Sequence, residues 1–205
     1  MDLSAPFQSM FPTVDSSVLA VLAGSTKPRT GREIARLAGR SQPATQRVLD
    51  RFVAHGLVLR SEAGRARVYT LNWEHLAADP ISALVNLRMA LFRQMRKVFE
   101  AWSLKPLHAS VFGSAARGDG DLDSDVDIFL VRPNIIGEKD RQWRRQVGGL
   151  AEEVFEMTGN HAGIAETSED DLERLRRDRP AIVDSLRADA VNIFGIPIQT
   201  LLRKM

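Results

Sequence analysis

Two aspartates separated by one residue, Asp125 and Asp127, stand directly before the apolar run 128–131. Side chains two apart on a strand point to the same face, roughly 6.5 Å from each other along the chain. The sequence therefore predicts that both carboxylates share one face of a strand. Carboxylates this close repel each other unless a cation lies between them. Mg²⁺ is the expected cation, because it prefers oxygen ligands and keeps positions open for phosphate oxygens.

A second chemical feature, the pair Gly113-Ser114, directly follows the predicted strand 107–112. Gly113 allows the backbone to approach a ligand closely. Ser114 is expected to place its hydroxyl and amide at the start of a short helix, where anions bind well. A carboxylate pair for metal ions, together with a turn for a triphosphate, predicts a nucleotidyl-transfer centre.

The alternating acids Asp119, Asp121 and Asp123 raise the alternative of a calcium-binding loop. Such a loop requires glycine at its sixth position and glutamate at its twelfth. Counted from Asp119, those positions hold Ser124 and Leu130. The sequence therefore excludes this kind of calcium site. A solvated acidic loop, the other alternative, does not explain the apolar strands on either side.

Residues 113–127 resemble the signature of the DNA polymerase β-type nucleotidyltransferase superfamily, and most closely that of its minimal nucleotidyltransferase branch. The signature is an apolar residue, Gly-Ser, about ten residues and then Asp-x-Asp with apolar neighbours, and this chain has each part in that order. Inside the segment, Ala116, Arg117, Gly118 and Ser124 also resemble the minimal branch. The likeness directly covers about twenty residues.

This resemblance implies a set of ligands for two Mg²⁺ ions and one nucleoside triphosphate. Asp125 and Asp127 would hold the ions, of which one stabilises the triphosphate and the other lowers the pKa of an attacking hydroxyl. The residues implied in nucleotide binding are Gly113, Ser114, Arg117 and Ser124. The implied reaction moves a nucleoside monophosphate from the triphosphate, with ATP as the first choice, to a hydroxyl.

The third carboxylate of the family normally lies on the following strand, and this sequence departs from the pattern there. The predicted strand 161–167 has Ala162 to Ala165 where an acidic residue is expected. Glu166 is the one carboxylate on that strand, so it is the candidate third catalytic residue, and His161 is interpreted as a capping or surface residue. Without a third carboxylate, we expect activity to be weak, assisted by a partner, or absent.

Composition limits the class of protein. The 205 residues are 44% apolar and 26% charged, which is ordinary for one large domain or two small ones. No apolar run approaches the ~20 residues of a membrane span, and residues 1–20 carry no secretory signal pattern, so we expect a cytoplasmic protein with no membrane partner. The chain has no cysteine, which excludes disulfides and cysteine-based zinc sites.

Charge is distributed unevenly along the chain. Residues 27–67 carry ten basic and three acidic side chains, a balance of +7, whereas the whole chain has +2. Within and around this segment the pattern predicts helices at 15–23, 30–38 and 41–55, followed by a hairpin of strands 57–60 and 67–71. Helix, helix, turn, helix and hairpin resemble the winged helix-turn-helix module, in which the third helix is the recognition helix and the hairpin is the wing.

Duplex DNA is the expected partner of this module, because a helix fits the major groove of DNA but not that of A-form RNA. Candidates to reach base edges lie at the start of the recognition helix and are Gln42, Thr45, Gln46 and Arg47. Candidates for phosphate contacts are Arg40, Arg65 and Arg67. Winged helices also dock proteins, and exposed arginines are often merely solvated, so those alternatives stay open.

The predicted fold class is α/β (α+β), with a winged helix-turn-helix domain at 1–74, a connecting helix at 75–104 and a nucleotidyltransferase domain with a small mixed sheet at 105–205. The apolar stripe of 81–102 predicts one long helix, which braces the modules or forms the seam of a homodimer. A scaffold that assembles through this helix is the least specific of the functional alternatives.

Two more specific functions remain open. One is a Mg²⁺-dependent nucleotidyltransferase coupled to a DNA-binding winged helix. For this enzyme the resemblance implies acceptors such as RNA ends, protein side chains or small molecules, including partner toxins in toxin–antitoxin pairs. The other is a DNA-binding transcriptional regulator whose transferase domain is degenerate and senses a nucleotide. The basic first module and the weak third-carboxylate strand motivate this alternative.

Overall fold

The computed structural model of the chain describes residues 1–203, which form two compact units. One unit comprises residues 5–87, and the other comprises residues 1–4 with the chain from Arg88 onward. Separate clusters of buried apolar residues hold each unit together. None of the helices in the described part of the chain is long and apolar enough to cross a membrane.

The first unit is a small helical domain with a three-stranded antiparallel sheet in the order β1-β3-β2. Its core contains the fully buried side chains of Val18, Ile34 and Leu49, with Tyr69 of the sheet packed against them. The elements, in chain order, are α1 (Pro6–Met10), α2 (Val14–Ala23), β1 (Arg29–Thr30), α3 (Gly31–Ala38), α4 (Gln42–Ala54), β2 (Val58–Ala63), β3 (Ala66–Leu71) and α5 (Ala78–Val85).

Local sequence explains where α3 begins and ends. The Thr30 hydroxyl accepts a hydrogen bond from the Glu33 N–H, and the Glu33 carboxylate accepts one from the Thr30 N–H at 2.8 Å, so a capping box starts the helix. Hydrogen bonds from the N–H and the hydroxyl of Thr30 to the Glu33 carboxylate hold the pKa of Glu33 below its ordinary value. Gly39 ends the helix in the left-handed conformation.

The second unit is a four-stranded mixed sheet in the order β6-β5-β4-β7, with helices on both faces. The β5–β6 pair is parallel, and the pairs that β4 makes with β5 and β7 are antiparallel. The elements are α6 (Leu87–Ala101), β4 (His108–Phe112), α7 (Gly113–Arg117), β5 (Val126–Arg132), α8 (Arg141–Thr158), β6 (Ala162–Ser168), α9 (Leu172–Asp178), α10 (Ala181–Asp189), β7 (Val191–Gly195) and α11 (Ile198–Leu201).

Strand β5 is buried on both faces and forms the centre of this unit. Ile128 and Leu130 belong to the cluster that includes residues of α6 and α8, whereas Phe129 and Val131 belong to the cluster that includes residues of α9, α10 and α11. Because side chains alternate along a strand, Asp127 shares its face with Phe129. The sheet therefore presents Asp127 near one end of a strand that is buried on both faces.

The single long helix predicted over residues 81–102 is wrong. The segment forms two helices, and α5 ends at Asn86, just before α6 begins. The Asn86 side chain donates a hydrogen bond to the Ser82 carbonyl at 2.7 Å. Short polar side chains that bond to the backbone in this way compete with helix continuation.

Candidate active site

The antiparallel pairing of β4 and β5 brings together the two halves of the 113–127 motif. Phe112, the last residue of β4, pairs with Asp127, so Gly113 follows immediately beside that aspartate. A Cβ built on Gly113 would lie 2.6 Å from Asp127 Oδ2, and Gly113 has φ +67°. Both the crowding and the left-handed backbone require glycine at this position.

Hydrogen bonds between Ser124 and Asp121 hold together the loop between α7 and β5. Ser124 Oγ donates to the Asp121 carboxylate at 2.7 Å, and the Asp121 N–H donates to Ser124 Oγ at 2.9 Å. A Cβ on Gly120 would lie 3.0 Å from Ser124 Oγ and 3.1 Å from Ser114 Oγ. The hydroxyls of Ser114 and Ser124 therefore line the same small space around Gly120.

Asn160 supports this loop through its side-chain amide, a role that no sequence pattern indicated. Its side-chain amide donates to the Ser124 carbonyl at 2.9 Å, and the residue is 4% exposed. Ser124 immediately precedes Asp125, so this hydrogen bond helps to fix where β5 begins. Asn160 lies in the turn before β6, and its role depends on strand packing that no local pattern reveals.

The electrostatics of the aspartate pair fit a bound divalent cation. Burial raises the pKa of Asp127, and the neighbouring charge of Asp125 raises it further, while Arg117 acts in the opposite direction. Two neighbouring carboxylates, with serine hydroxyls nearby, form an all-oxygen donor set of the kind Mg²⁺ accepts. Within residues 1–203 no group of three or more His, Cys, Asp or Glu residues is placed to hold a metal. Water and phosphate oxygens would have to fill the remaining positions.

Glu166 does not join the aspartate pair, contrary to the sequence prediction. The parallel register of β5 and β6 sets Gly163 opposite Asp127 and Glu166 opposite Leu130, so Glu166 lies on the other face of the sheet. There its carboxylate accepts a hydrogen bond from Arg132 Nε at 2.7 Å. A Cβ on Gly163 would lie 3.0 Å from Asp127 Oδ1. The β6 position that faces the pair is therefore a glycine.

Arg117 lies close to the site, but its guanidinium is already engaged. Its Nε donates to Asp119 at 2.8 Å and its Nη1 donates to Asp189 at 2.6 Å. These two carboxylates raise the pKa of Arg117 above its ordinary value. Asp189 closes α10, far along the chain from the motif, and the sequence did not indicate this contact.

In the first unit, most of the candidate DNA-contacting residues face solvent. The exposed members of the set are Gln42, Arg40, Arg47, Arg65 and Arg67. Arg47 lies in the first half of α4, and Arg65 and Arg67 lie at the tip of the β2–β3 hairpin. Arg40 also donates a hydrogen bond to Ser17 Oγ at 3.2 Å.

Two other candidates on α4 point into the domain. Thr45 is 0% exposed, so the prediction that its side chain reaches a base edge is wrong. Gln46 is half-buried, and its amide donates to Asp50 at 2.8 Å and to the Tyr69 hydroxyl at 3.1 Å. The helix therefore presents Gln42 and Arg47 outward and turns these two side chains toward its neighbours.

Comparison with known protein families supports both of the predicted modules. The sequence model of the MarR family matches residues 11–67, and that of the nucleotidyltransferase domain matches residues 93–186. No curated protein matches the chain.

Solved structures resemble one module at a time. A candidate nucleotidyltransferase from Sulfolobus solfataricus has 18% identity and a TM-score of 0.35, over 54% of this chain and 86% of that one. A MarR family transcriptional regulator from Silicibacter pomeroyi has 24% identity and a TM-score of 0.32, over 48% and 72%.

A zinc-responsive MarR family member from Lactococcus lactis has 19% identity and a TM-score of 0.31, over 42% of this chain. This chain spans 62% of the length of that protein. Similarities this low say nothing about what the present chain binds. The matches to the sequence models and the fold agree, and the chain carries a MarR-type winged helix domain at residues 11–67 and a nucleotidyltransferase domain at residues 93–186.

Proposed function

We propose that the protein is a Mg²⁺-dependent nucleotidyltransferase that moves a nucleoside monophosphate from a triphosphate to a hydroxyl acceptor, and that it binds duplex DNA through its winged helix. The observation that supports this most directly is the contact between the two halves of the motif. Asp127 lies against Gly113, and the hydroxyls of Ser114 and Ser124 lie around Gly120 in the loop that joins the two halves. A nucleotide bound at the turn would thus lie within reach of both aspartates.

Each residue of the motif has a distinct role in this proposal. Asp125 and Asp127 hold the cation, which when bound supplies positive charge to the triphosphate and lowers the pKa of the acceptor hydroxyl. Ser114 donates its hydroxyl to a phosphate oxygen, whereas Ser124, whose hydroxyl donates to Asp121, holds the loop beside it. Gly113 keeps the backbone free of a side chain that would displace Asp127. Asp189 holds Arg117 beside the loop.

Label transfer tests the proposal. The chain is incubated with Mg²⁺ and ATP labelled on either the α- or the γ-phosphate, together with candidate protein and RNA acceptors. We expect α-label on an acceptor and pyrophosphate in solution, and we expect both to be lost in the double variant Asp125→Asn/Asp127→Asn. Asp123→Asn is the matched control, since Asp123 is an exposed aspartate of the same loop. Label transfer that survives in the double variant would contradict the proposal.

A second function, nucleotide sensing by a DNA-binding regulator, is favoured by Gly163. The β6 position opposite Asp127 is a glycine and supplies no carboxylate. The ion that activates the acceptor would therefore lack a protein ligand from β6. ATP would then bind without being consumed. Mg²⁺-dependent ATP binding with no α-label transfer to any acceptor distinguishes this function from the first. Release of pyrophosphate would exclude it.

A further inference from the structure

The loop of the motif is strongly acidic, so a bound triphosphate meets a shortage of positive charge. Asp119, Asp121 and Asp123 lie on the same short segment as the aspartate pair. Arg117, the one basic side chain within residues 113–127, is shared between Asp119 and Asp189. A basic side chain from elsewhere in the unit would offset the nucleotide charge that remains beyond that balanced by the metal ion.

Arg88, in the first turn of α6, lies where such a cation is required. A Cβ built on Gly118 would overlap the Arg88 guanidinium, so this group rests directly on the bend that ends α7. Gly118 has φ +74° and no side chain, which lets the guanidinium approach the backbone. Arg88 is half-buried, so its charge is less screened by salt than that of a fully exposed arginine.

The Arg88 guanidinium is also free to bind a ligand. Among residues 1–203 it makes no hydrogen bond or ion pair, in contrast to Arg117, whose guanidinium contacts two carboxylates. Guanidinium groups bind phosphate through two parallel N–H donors, and their planar fork suits this geometry better than an ammonium does. The Arg88 guanidinium, partly buried and unpaired among the described residues at the Gly118 end of α7, can therefore form an ion pair with an anionic ligand.

We propose that Arg88 binds the phosphates of the nucleotide held by residues 113–127. The inference rests on the proposed nucleotide site, and it adds a residue outside the motif to it. Because a guanidinium pairs with phosphate oxygens through its charged fork, we expect Arg88 to contact the triphosphate and not the base or sugar. It therefore sets the preference of the site for triphosphates over monophosphates.

Calorimetric titration of the full chain with ATP, ADP and AMP in Mg²⁺ tests this role. We expect Arg88→Gln to weaken ATP binding about 10- to 100-fold, the usual effect of losing a hydrogen bond to a charged group. AMP binding should change less than about threefold. Arg88→Lys should retain part of the ATP affinity, because it keeps the charge but loses the fork. Arg93→Gln, an exposed arginine of the same helix, is the matched control and should bind ATP normally.

Competition with inorganic triphosphate provides a second measurement. The ion should displace a fluorescent ATP analogue from the unaltered chain and from Arg93→Gln with the same inhibition constant, once this is corrected for the affinity of each chain for the analogue. The corrected constant should be about 10-fold weaker in Arg88→Lys. Equal ATP affinity in Arg88→Gln and the unaltered chain would overturn the role of Arg88 and leave the proposed function standing. An equal loss of ATP and AMP affinity in Arg88→Gln would likewise overturn it. Failure of the unaltered chain to bind Mg²⁺–ATP would instead overturn the proposed function and this inference together.

Discussion

Gly163 faces Asp127 across the parallel pairing of β5 and β6, where a carboxylate would complete the acidic set. We predict that Gly163→Asp lowers stability without metal, by about 1–2 kcal/mol, because a third negative charge is crowded against the pair. With Mg²⁺ the same variant should be stabilised more than the unaltered chain, since the ion gains a ligand. Thermal denaturation in chelator and in Mg²⁺ measures both effects.

Gly163→Asn separates charge from shape in that experiment. Its amide has nearly the same size, so it meets the same contact with Asp127, where a Cβ lies 3.0 Å from Oδ1. It adds no negative charge and should show a much smaller response to Mg²⁺. An identical response of the Asp and Asn variants would exclude a metal effect at this position.

His108 provides a test of the core that is independent of nucleotide binding. Burial lowers its pKa to about 4 from an ordinary value of 6.5, although the Ile196 carbonyl opposes this shift. Between these values the unfolded chain binds a proton that the folded chain excludes, so stability is full above pH 6.5 and falls as pH decreases toward 4. The expected loss is on the order of 3 kcal/mol.

Urea denaturation at pH 7 and pH 5 measures this dependence. His108→Asn should cost stability at pH 7, because the ring contacts Ser110 Oγ at 2.9 Å, and should also flatten the pH profile. His161→Asn replaces an exposed histidine of the same unit and should leave the profile unchanged. If the slope between pH 7 and pH 5 persists in His108→Asn, another group causes it.

At the scale of elements, the sequence was enough to predict a helix or strand wherever the residues that determine it lie within one segment. The helix predicted at 30–38 and the strand predicted from the apolar run 128–131 are both present, as α3 and β5. Glu166 was predicted on the wrong face of the sheet because the face depends on the register of β6 against β5. A shift of one residue in register moves every side chain of a strand to the opposite face. Thr45 was misplaced for a related reason, since the rotation of α4 about its axis is set by packing on its neighbours.

The recognition helix and the wing carry the DNA-binding prediction. Arg47→Glu and Arg65→Glu should each lower the affinity for duplex DNA about 10-fold or more and reduce the slope of log K against log salt by about 1. Thr45→Val is the control on the same helix. It replaces a buried hydroxyl that has no hydrogen-bond partner in the described chain, so it should leave DNA binding unchanged and raise stability by about 1 kcal/mol.

Fluorescence anisotropy with labelled duplexes at several salt concentrations measures the DNA affinity. Exposed Arg60, on the wing strand β2, provides a comparison within the hairpin. A larger effect of Arg65→Glu than of Arg60→Glu would place the contact at the tip of the hairpin. Binding that is indifferent to salt and to both reversals at Arg47 and Arg65 would leave protein docking as the role of the winged helix.

At the scale of the whole molecule, the helices α5 and α6, which follow each other in the sequence, connect the two modules. Helix α5 contributes Ala78 and Ile81 to the core of the first unit, and α6 begins one residue after α5 ends. Arg88 lies in the first turn of α6, so a nucleotide that binds Arg88 contacts the chain just beyond the winged helix domain. This connection offers a short covalent route by which nucleotide binding changes DNA binding.

We therefore predict that Mg²⁺–ATP changes the DNA affinity of the chain about fivefold or more, a typical size for coupling between two sites. Linkage requires DNA to change the ATP affinity by the same factor, so titrating each ligand in the presence of the other checks the result twice. Arg88→Gln should abolish the coupling even at ATP concentrations that saturate the variant, and Arg93→Gln should preserve it. Equal DNA affinity with and without saturating ATP would mean that the two domains bind their ligands independently.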